Sequence, residues 1–207
     1  MSFVEAIYSF RIDLTHTERS GNDDLRFKVP KHPNETMEEL LAHVLALTHF
    51  YRSGVELSKD RLNPDSPTAF RMDLTGGLLD WMYVGAPEGK LLKRCLRISP
   101  RPRLAVYFIN QEQVTRFCRE LRGSTENWVE HVEFWLLPEA LLTELAPQIR
   151  SRVQWGLTYA DEQIYLSWEQ EGPEESRLFE GQVVAIDIWS EFQRSIEVNV
   201  QSGGEAP

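Results

Sequence analysis

Two apolar runs, Leu78–Val84 and Arg103–Ile109, are separated by a segment of helical periodicity, and this succession limits the fold more than any other feature of the chain. Each run has strand length and is rich in β-branched and aromatic residues. Between them, Leu91, Leu92, Cys95 and Leu96 recur on one side of a helix running from Pro87 to Ile98. A strand, a helical crossover and another strand favour parallel pairing, with the helix laid on the sheet. The pattern continues with a helix from about Gln111, a strand Val129–Leu136, a helix Pro138–Ile149 and a strand Val153–Tyr159.

The flanks read differently. Val4, Ala6, Tyr8, Phe10 and Ile12 alternate with polar residues, and Leu25, Phe27 and Val29 repeat the period after "THTERSGN", which predicts an opening antiparallel hairpin. Ile164–Trp168 is expected to form a second hairpin with the preceding strand, and Gln182–Trp189 a last strand. "HPNETMEELLAHVLALTHFYRSG" predicts a helix with Asn34 as N-cap, Glu35 and Glu38 in its first turn, and Gly54 closing it. Asn110 and Gln113 stand at capping-box spacing, with Gly123 stopping that helix. The fold class expected is therefore mixed α/β: a partly parallel sheet flanked by helices, with antiparallel hairpins added. The 207 residues are read as one domain ending in an unstructured tail from about residue 200.

A formal charge of −10 argues against broad, unselective binding to nucleic acid or acidic membranes, so any polyanion contact must be local. One segment meets that condition. From Gly89 to Gln111 the chain carries Lys90, Lys93, Arg94, Arg97, Arg101 and Arg103 and no acid, and the first four follow the i, i+3, i+4, i+7 spacing of one helix face. Such a face suits phosphate contacts, although a solvated helix surface has the same pattern. Glu35 and Glu38 invite a carboxylate-pair reading, but acids near a helix start are also stabilised by the helix dipole alone.

The two cysteines, Cys95 and Cys118, lack zinc-finger spacing and are read as reduced, buried thiols. The N-terminus has no basic n-region, and no window approaches eighteen uninterrupted apolar residues, which points to the cytoplasm and away from the membrane.

"AIYSFRIDL" near the start, "HPNETMEELLAHVLAL" at His32–Leu47, "DLTG" at Asp73–Gly76 and "W-x-x-V-G-x-P-E" at Trp81–Glu88, in that order, resemble the YaeQ family. The resemblance spans the chain from about Phe3 to the last strand. It implies the restriction-endonuclease-like fold of PD-(D/E)XK architecture, in which a helix Glu, an Asp and a strand carboxylate hold Mg²⁺ and a Lys activates the attacking water. Carried over, Glu35 and Glu38 match the helix acids, Asp73 the turn acid and Lys90 a helix lysine. Two strand acids of the family pattern are replaced by Leu79 and Tyr83, and Arg94 stands in place of a second lysine, where it cannot serve as a base.

Strand parity puts residues 79, 81 and 83 on one face and Asp80 on the other, and the resemblance implies that the first face looks toward Asp73 and the helix acids. The implied function is a non-catalytic or weakly active module with a depleted acidic site. It would bind nucleic acid through Lys90, Lys93, Arg94, Arg97 and Arg101, or a protein partner. The alternative is a divergent Mg²⁺-dependent phosphodiesterase with Glu38 and Asp73 as metal ligands and Lys90 or Lys93 as water activator.

Overall fold

A computed structural model describes residues 6–19, 21–63, 65–98, 100–121, 127–169 and 176–194. Val4 of the opening strand, Gly123, the acidic loop from residue 170 to 175 and the expected tail from about 200 lie outside them. The chain forms two compact units, one from the residues up to His49 with Pro138–Val184, the other from Phe50–Leu137 with the residues from Ala185 onward.

The first unit is built on a five-stranded sheet of order β10-β9-β8-β1-β2. Strands β1 (Ala6–His16) and β2 (Asn22–Lys31) form the expected hairpin, with Ile12 opposite Leu25. Strand β8 (Arg152–Ala160) joins β1 in parallel, then pairs antiparallel with β9 (Gln163–Glu169), which pairs antiparallel with β10 (Ser176–Gln182). One face is buried: Phe10, Ile12 and Leu14 alternate with exposed Arg11 and Asp13, and Ile164, Leu166 and Trp168 continue it on β9.

Helix α1 (Met37–Phe50) is buried on every side from Leu40 to Thr48, as its nearly unbroken apolar sequence requires. It is tied to its own sheet by the Tyr159 hydroxyl, which donates to the Leu45 carbonyl at 3.0 Å and lies 2.9 Å from Thr48 Oγ1. The short helix α4 (Glu139–Leu145) lies against β10 so closely that a Cβ at Gly181 would meet Leu141 and Pro138 at 2.9 and 3.0 Å.

The second unit holds a six-stranded sheet of order β11-β7-β6-β5-β4-β3. Strands β3 (Glu56–Leu57), β4 (Ala69–Met72) and β5 (Leu78–Val84) run antiparallel in turn. From β5 the chain crosses through α2 (Gly89–Leu96) to a parallel β6 (Arg103–Phe108), then through α3 (Gln111–Glu120) to a parallel β7 (Glu133–Leu136). The two-residue β11 (Val184–Ala185) completes this sheet. Helices α2 and α3 cover one face of it, burying Leu91, Leu92, Cys95, Phe117 and Cys118 against Tyr83, Val106, Phe108 and Phe134. Each large side chain buried there contributes about 1.5–3 kcal/mol relative to exposure.

The structure revises several sequence expectations. The N-cap of α1 is Thr36, not Asn34: its hydroxyl accepts from Glu39 N at 3.1 Å while the Glu39 carboxylate accepts from Thr36 N at 2.8 Å. Glu35 consequently precedes the helix. The capping box at Asn110 forms, but Gln113 reaches back to Ile109 N instead of Asn110 N. The stretch expected as one strand from Val129 begins as a 3-10 turn, Asn127–His131. The stretch expected as the last strand is divided between β10 and β11, and residues 188–194 are helical. Asp187 caps that helix, its Oδ1 accepting from Trp189 N and Ser190 N, which explains why the apolar Ile188 and Trp189 do not continue a strand.

Candidate functional site

Asp73 sits in the tight turn joining β4 to β5, and its carboxylate organises that turn. Oδ1 accepts from the Thr75 hydroxyl at 2.7 Å and from the backbone N–H groups of Thr75 and Gly77 at 2.8 Å each. These bonds, led by the Thr75 hydroxyl, hold the carboxyl below its ordinary range, so it is ionised at neutral pH. Gly77 is required by contact: a Cβ there would lie 2.6 Å from Asp73 Oδ2. An Asp at the head of a glycine-rich turn does this structural work without any ligand.

The basic helix α2 presents Lys90, Arg94 and Arg97 to solvent while Leu91, Leu92, Cys95 and Leu96 face the core, as the periodicity predicts. Arg101, in the segment leading to β6, is also exposed. The cations are not equivalent. Lys90 pairs with Glu88 at 2.5 Å, and that acid is the main reason its ammonium is held above its ordinary pKa. Lys93 is half-buried, its ammonium 5.8 Å from the Trp128 ring centroid. Arg103 does not belong to the exposed stripe: its guanidinium grips Glu133 through two 2.7 Å bonds and lies over the Phe50 ring.

Strand β5 shows the expected parity with an unexpected assignment of faces. Tyr83 is buried in the apolar cluster under α2, with Trp81 packed against it, and its hydroxyl is directed at Cys95. Burial pushes the Tyr83 phenol far above its ordinary pKa and raises the Cys95 thiol as well. The 81/83 face is thus core beneath α2, and carboxylates at 79 and 83 would not complete an acidic cluster in the way the resemblance implies.

The opposite face carries what the sequence analysis missed. Asp80, 1% exposed at its side chain, is ion-paired with Arg71 of β4, and the sheet register sets it beside Arg103 of β6, which in turn holds Glu133 of β7. Four alternating charges cross four neighbouring strands. A row of this kind, half of it out of water, is a structural ion-pair network that fixes strand register.

Among the proposed acids, Glu35 is buried, its Oε1 3.1 Å from His43 Nδ1 and its Oε2 accepting from His32 N at 3.0 Å, so it closes the approach to α1. Glu38 lies in the first turn of α1, half-buried, in the first unit. Asp73 and all the basic candidates belong to the second. Within that unit Asp73 precedes β5 and Lys90 follows it, so the seven residues of the strand, about 23 Å at 3.3 Å each, stand between them. Among the described residues, no three or more His, Cys, Asp or Glu side chains gather as a metal site.

The elements define a mixed α/β protein in which two mixed sheets, the first with one parallel pairing between antiparallel ones and the second with two parallel pairings beside two antiparallel ones, are packed by helices. The same arrangement occurs in solved structures. The crystal structure of YaeQ protein from Xanthomonas axonopodis pv. citri matches with a TM-score of 0.74 at 16% identity, covering 88% of this chain and 98% of that one. The YaeQ protein from Pseudomonas syringae matches with a TM-score of 0.70 at 18% identity, covering 88% and 96%. Curated relatives are the uncharacterized YaeQ proteins of Salmonella typhi, 20% identical over 168 residues, and Escherichia coli K12, 18% identical over 167. Each alignment covers 81% of this chain and 91% of the relative. The model of the YaeQ protein family matches residues 1–175, and the chain belongs to that family.

Proposed function

We propose that the chain is a nucleic-acid-binding module of nuclease-like architecture, with the exposed side of α2 and the segment to Arg101 as its phosphate-contacting face. The observation that carries this reading is the solvent exposure of Arg94, Arg97 and Arg101 in a stretch, residues 89–111, without a single acid. Local cations of this kind dominate affinity for phosphates even on an acidic protein. Chain order supports the restriction-endonuclease-like assignment: a helix, three antiparallel strands, a crossover helix and a parallel strand follow one another as α1, β3, β4, β5, α2 and β6. No helix among the described residues is long and apolar enough to cross a membrane, which fits the cytoplasmic setting such a module needs.

The test is fluorescence anisotropy on labelled DNA and RNA oligonucleotides across about 50 to 200 mM salt, where phosphate-driven affinity falls steeply. The triple reversal Arg94→Glu, Arg97→Glu, Arg101→Glu is expected to abolish binding. Undiminished binding by that variant would refute the assignment, and a protein partner would then take precedence.

A metal-dependent phosphodiesterase is the second reading, favoured by one observation, the ionised and exposed carboxylate of Asp73. Asp73 would be one of its Mg²⁺ ligands. The burial of Tyr83 where a ligand carboxylate is needed weighs against it. Calorimetric titration with Mg²⁺ decides: tight binding lost in Asp73→Ala, together with metal-stimulated cleavage, would establish the enzyme. The outcome expected is little or no cleavage.

A further inference from the structure

The β4–β5 turn presents aliphatic side chains to solvent in a way that the phosphate face alone does not explain. Leu74 has 108% of its reference exposure and Met72 53%. A single exposed Leu is ordinary, but this one rides on a turn stapled by three hydrogen bonds to Asp73 Oδ1, so its position is fixed before any partner arrives.

The register shows what stands beside it. Met72 pairs with Leu78, and Asp80, two residues further, pairs in parallel with Arg103. The turn and the segment entering β6 therefore lie at the same end of the β5–β6 pair. That segment follows the C-terminal end of α2, carries exposed Arg97 and Arg101, and adds a third exposed apolar side chain, Ile98, at 36%. One end of this unit thus combines a rigid aliphatic tip with arginines free to reach phosphates.

We infer that Leu74 is a wedge that enters between base pairs of duplex DNA while Arg97 and Arg101 hold the phosphates beside the opened step. This rests on the nucleic-acid reading above and gives it a substrate class. Aliphatic wedges flanked by cations are the side chains that unstack and kink a duplex, whereas unpaired strands are held on aromatic platforms. Among the described residues, the exposed large apolar side chains of this unit, Leu62, Met72, Leu74 and Ile98, include no aromatic ring, which favours the duplex over the single strand. Unstacking costs least at a mismatch, so the wedge makes the protein prefer a duplex that carries one.

The experiment compares binding to a perfectly paired duplex and to the same duplex with a central mismatch, with 2-aminopurine beside the mismatch to report unstacking. Wild type is expected to bind the mismatched duplex roughly tenfold more tightly and to raise the 2-aminopurine signal. Leu74→Ser, at a fully exposed site whose melting should be unchanged, is expected to lose the preference and the signal; Leu74→Phe is expected to keep both. Absence of the preference in wild type, or its persistence in Leu74→Ser, overturns the wedge, and if Arg97→Glu, Arg101→Glu still abolishes binding the phosphate face survives. Failure to bind any duplex at low salt overturns the wedge, and failure to bind any oligonucleotide, duplex or single-stranded, overturns both. Leu74-dependent sedimentation with phosphatidylserine vesicles in place of duplex binding also overturns the wedge, and assigns the tip to a membrane surface.

Discussion

The Arg71–Asp80 pair makes a quantitative prediction because its partners are buried to different depths. Asp80 is 1% exposed at its side chain and Arg71 26%. Replacing Arg71 by Ala strands a carboxylate out of water with only Arg103 for compensation, and that guanidinium is already committed to Glu133. Breaking a buried pair from this side costs on the order of 3–5 kcal/mol, and the nearby Arg103 argues for the lower end, about 3 kcal/mol. Replacing Asp80 by Ala instead frees a side chain that already reaches solvent, so the loss is that of a charge-assisted hydrogen bond, about 1.5 kcal/mol.

For a chain of this size these costs lower the melting midpoint by roughly 6–12 °C and 3–6 °C respectively. Arg71→Ala, Asp80→Ala should be less destabilised than the sum of the two, since no charge is left stranded. Urea unfolding followed by circular dichroism and tryptophan fluorescence, with the slope checked for constancy, measures all three variants. If Arg71→Ala were as mild as Asp80→Ala, or if the double variant were strictly additive, the reasoning from unequal burial would be wrong.

Two further outcomes follow from the core under α2. Tyr83→Phe should change stability by less than about 1 kcal/mol, because the hydroxyl makes no well-aligned bond to its neighbours, the Cys95 thiol and the Trp81 indole, whereas Tyr83→Glu should cost more than about 4 kcal/mol by burying an unpaired charge in the apolar cluster; chemical denaturation of the two variants measures both. Burial pushes the Cys118 thiol from 9.0 up to about 11, so above pH 9 the unfolded chain gives up a proton that the folded chain keeps. The stability linked to this group is present below pH 9 and lost as pH rises toward 11, a loss that Cys118→Ala should remove from the pH dependence of the melting midpoint.

What could be read from the sequence were the elements whose signal is local. Strand β5 begins and ends where its apolar run does, the opening hairpin follows from period-two alternation, and α2 buries the four residues its spacing selects. Strand β4 was missed because Ala69–Met72 carries a charged Arg71 in four residues, and only its pairing with β5 makes it a strand. The charge row was invisible for the same reason: Arg71 finds Asp80 nine residues on and Arg103 finds Glu133 thirty residues on, through register rather than motif. Parity along β5 was legible, but which face α2 covers was not, since alternation distinguishes two sides without saying which is covered. Asp73 was singled out from the sequence, yet the three hydrogen bonds that occupy its Oδ1 depend on the turn closing around it.

The parallel pairing of β1 with β8 has a consequence for how the protein emerges from the ribosome. Ser9 finds its partner at Arg152, so the first sheet cannot be completed until more than 150 residues have been synthesised, which at about 5–20 residues per second takes on the order of ten seconds or more. Strands β3 to β7 of the second sheet, in contrast, lie in one uninterrupted stretch and can pair as they appear. During that interval the nascent hairpin shows the world an open β1 edge, the kind of template on which other chains add strands. Truncations that end before Arg152 should therefore yield a chain that aggregates from its first thirty residues, and slowing translation of this stretch should lengthen the cell's dependence on holding chaperones.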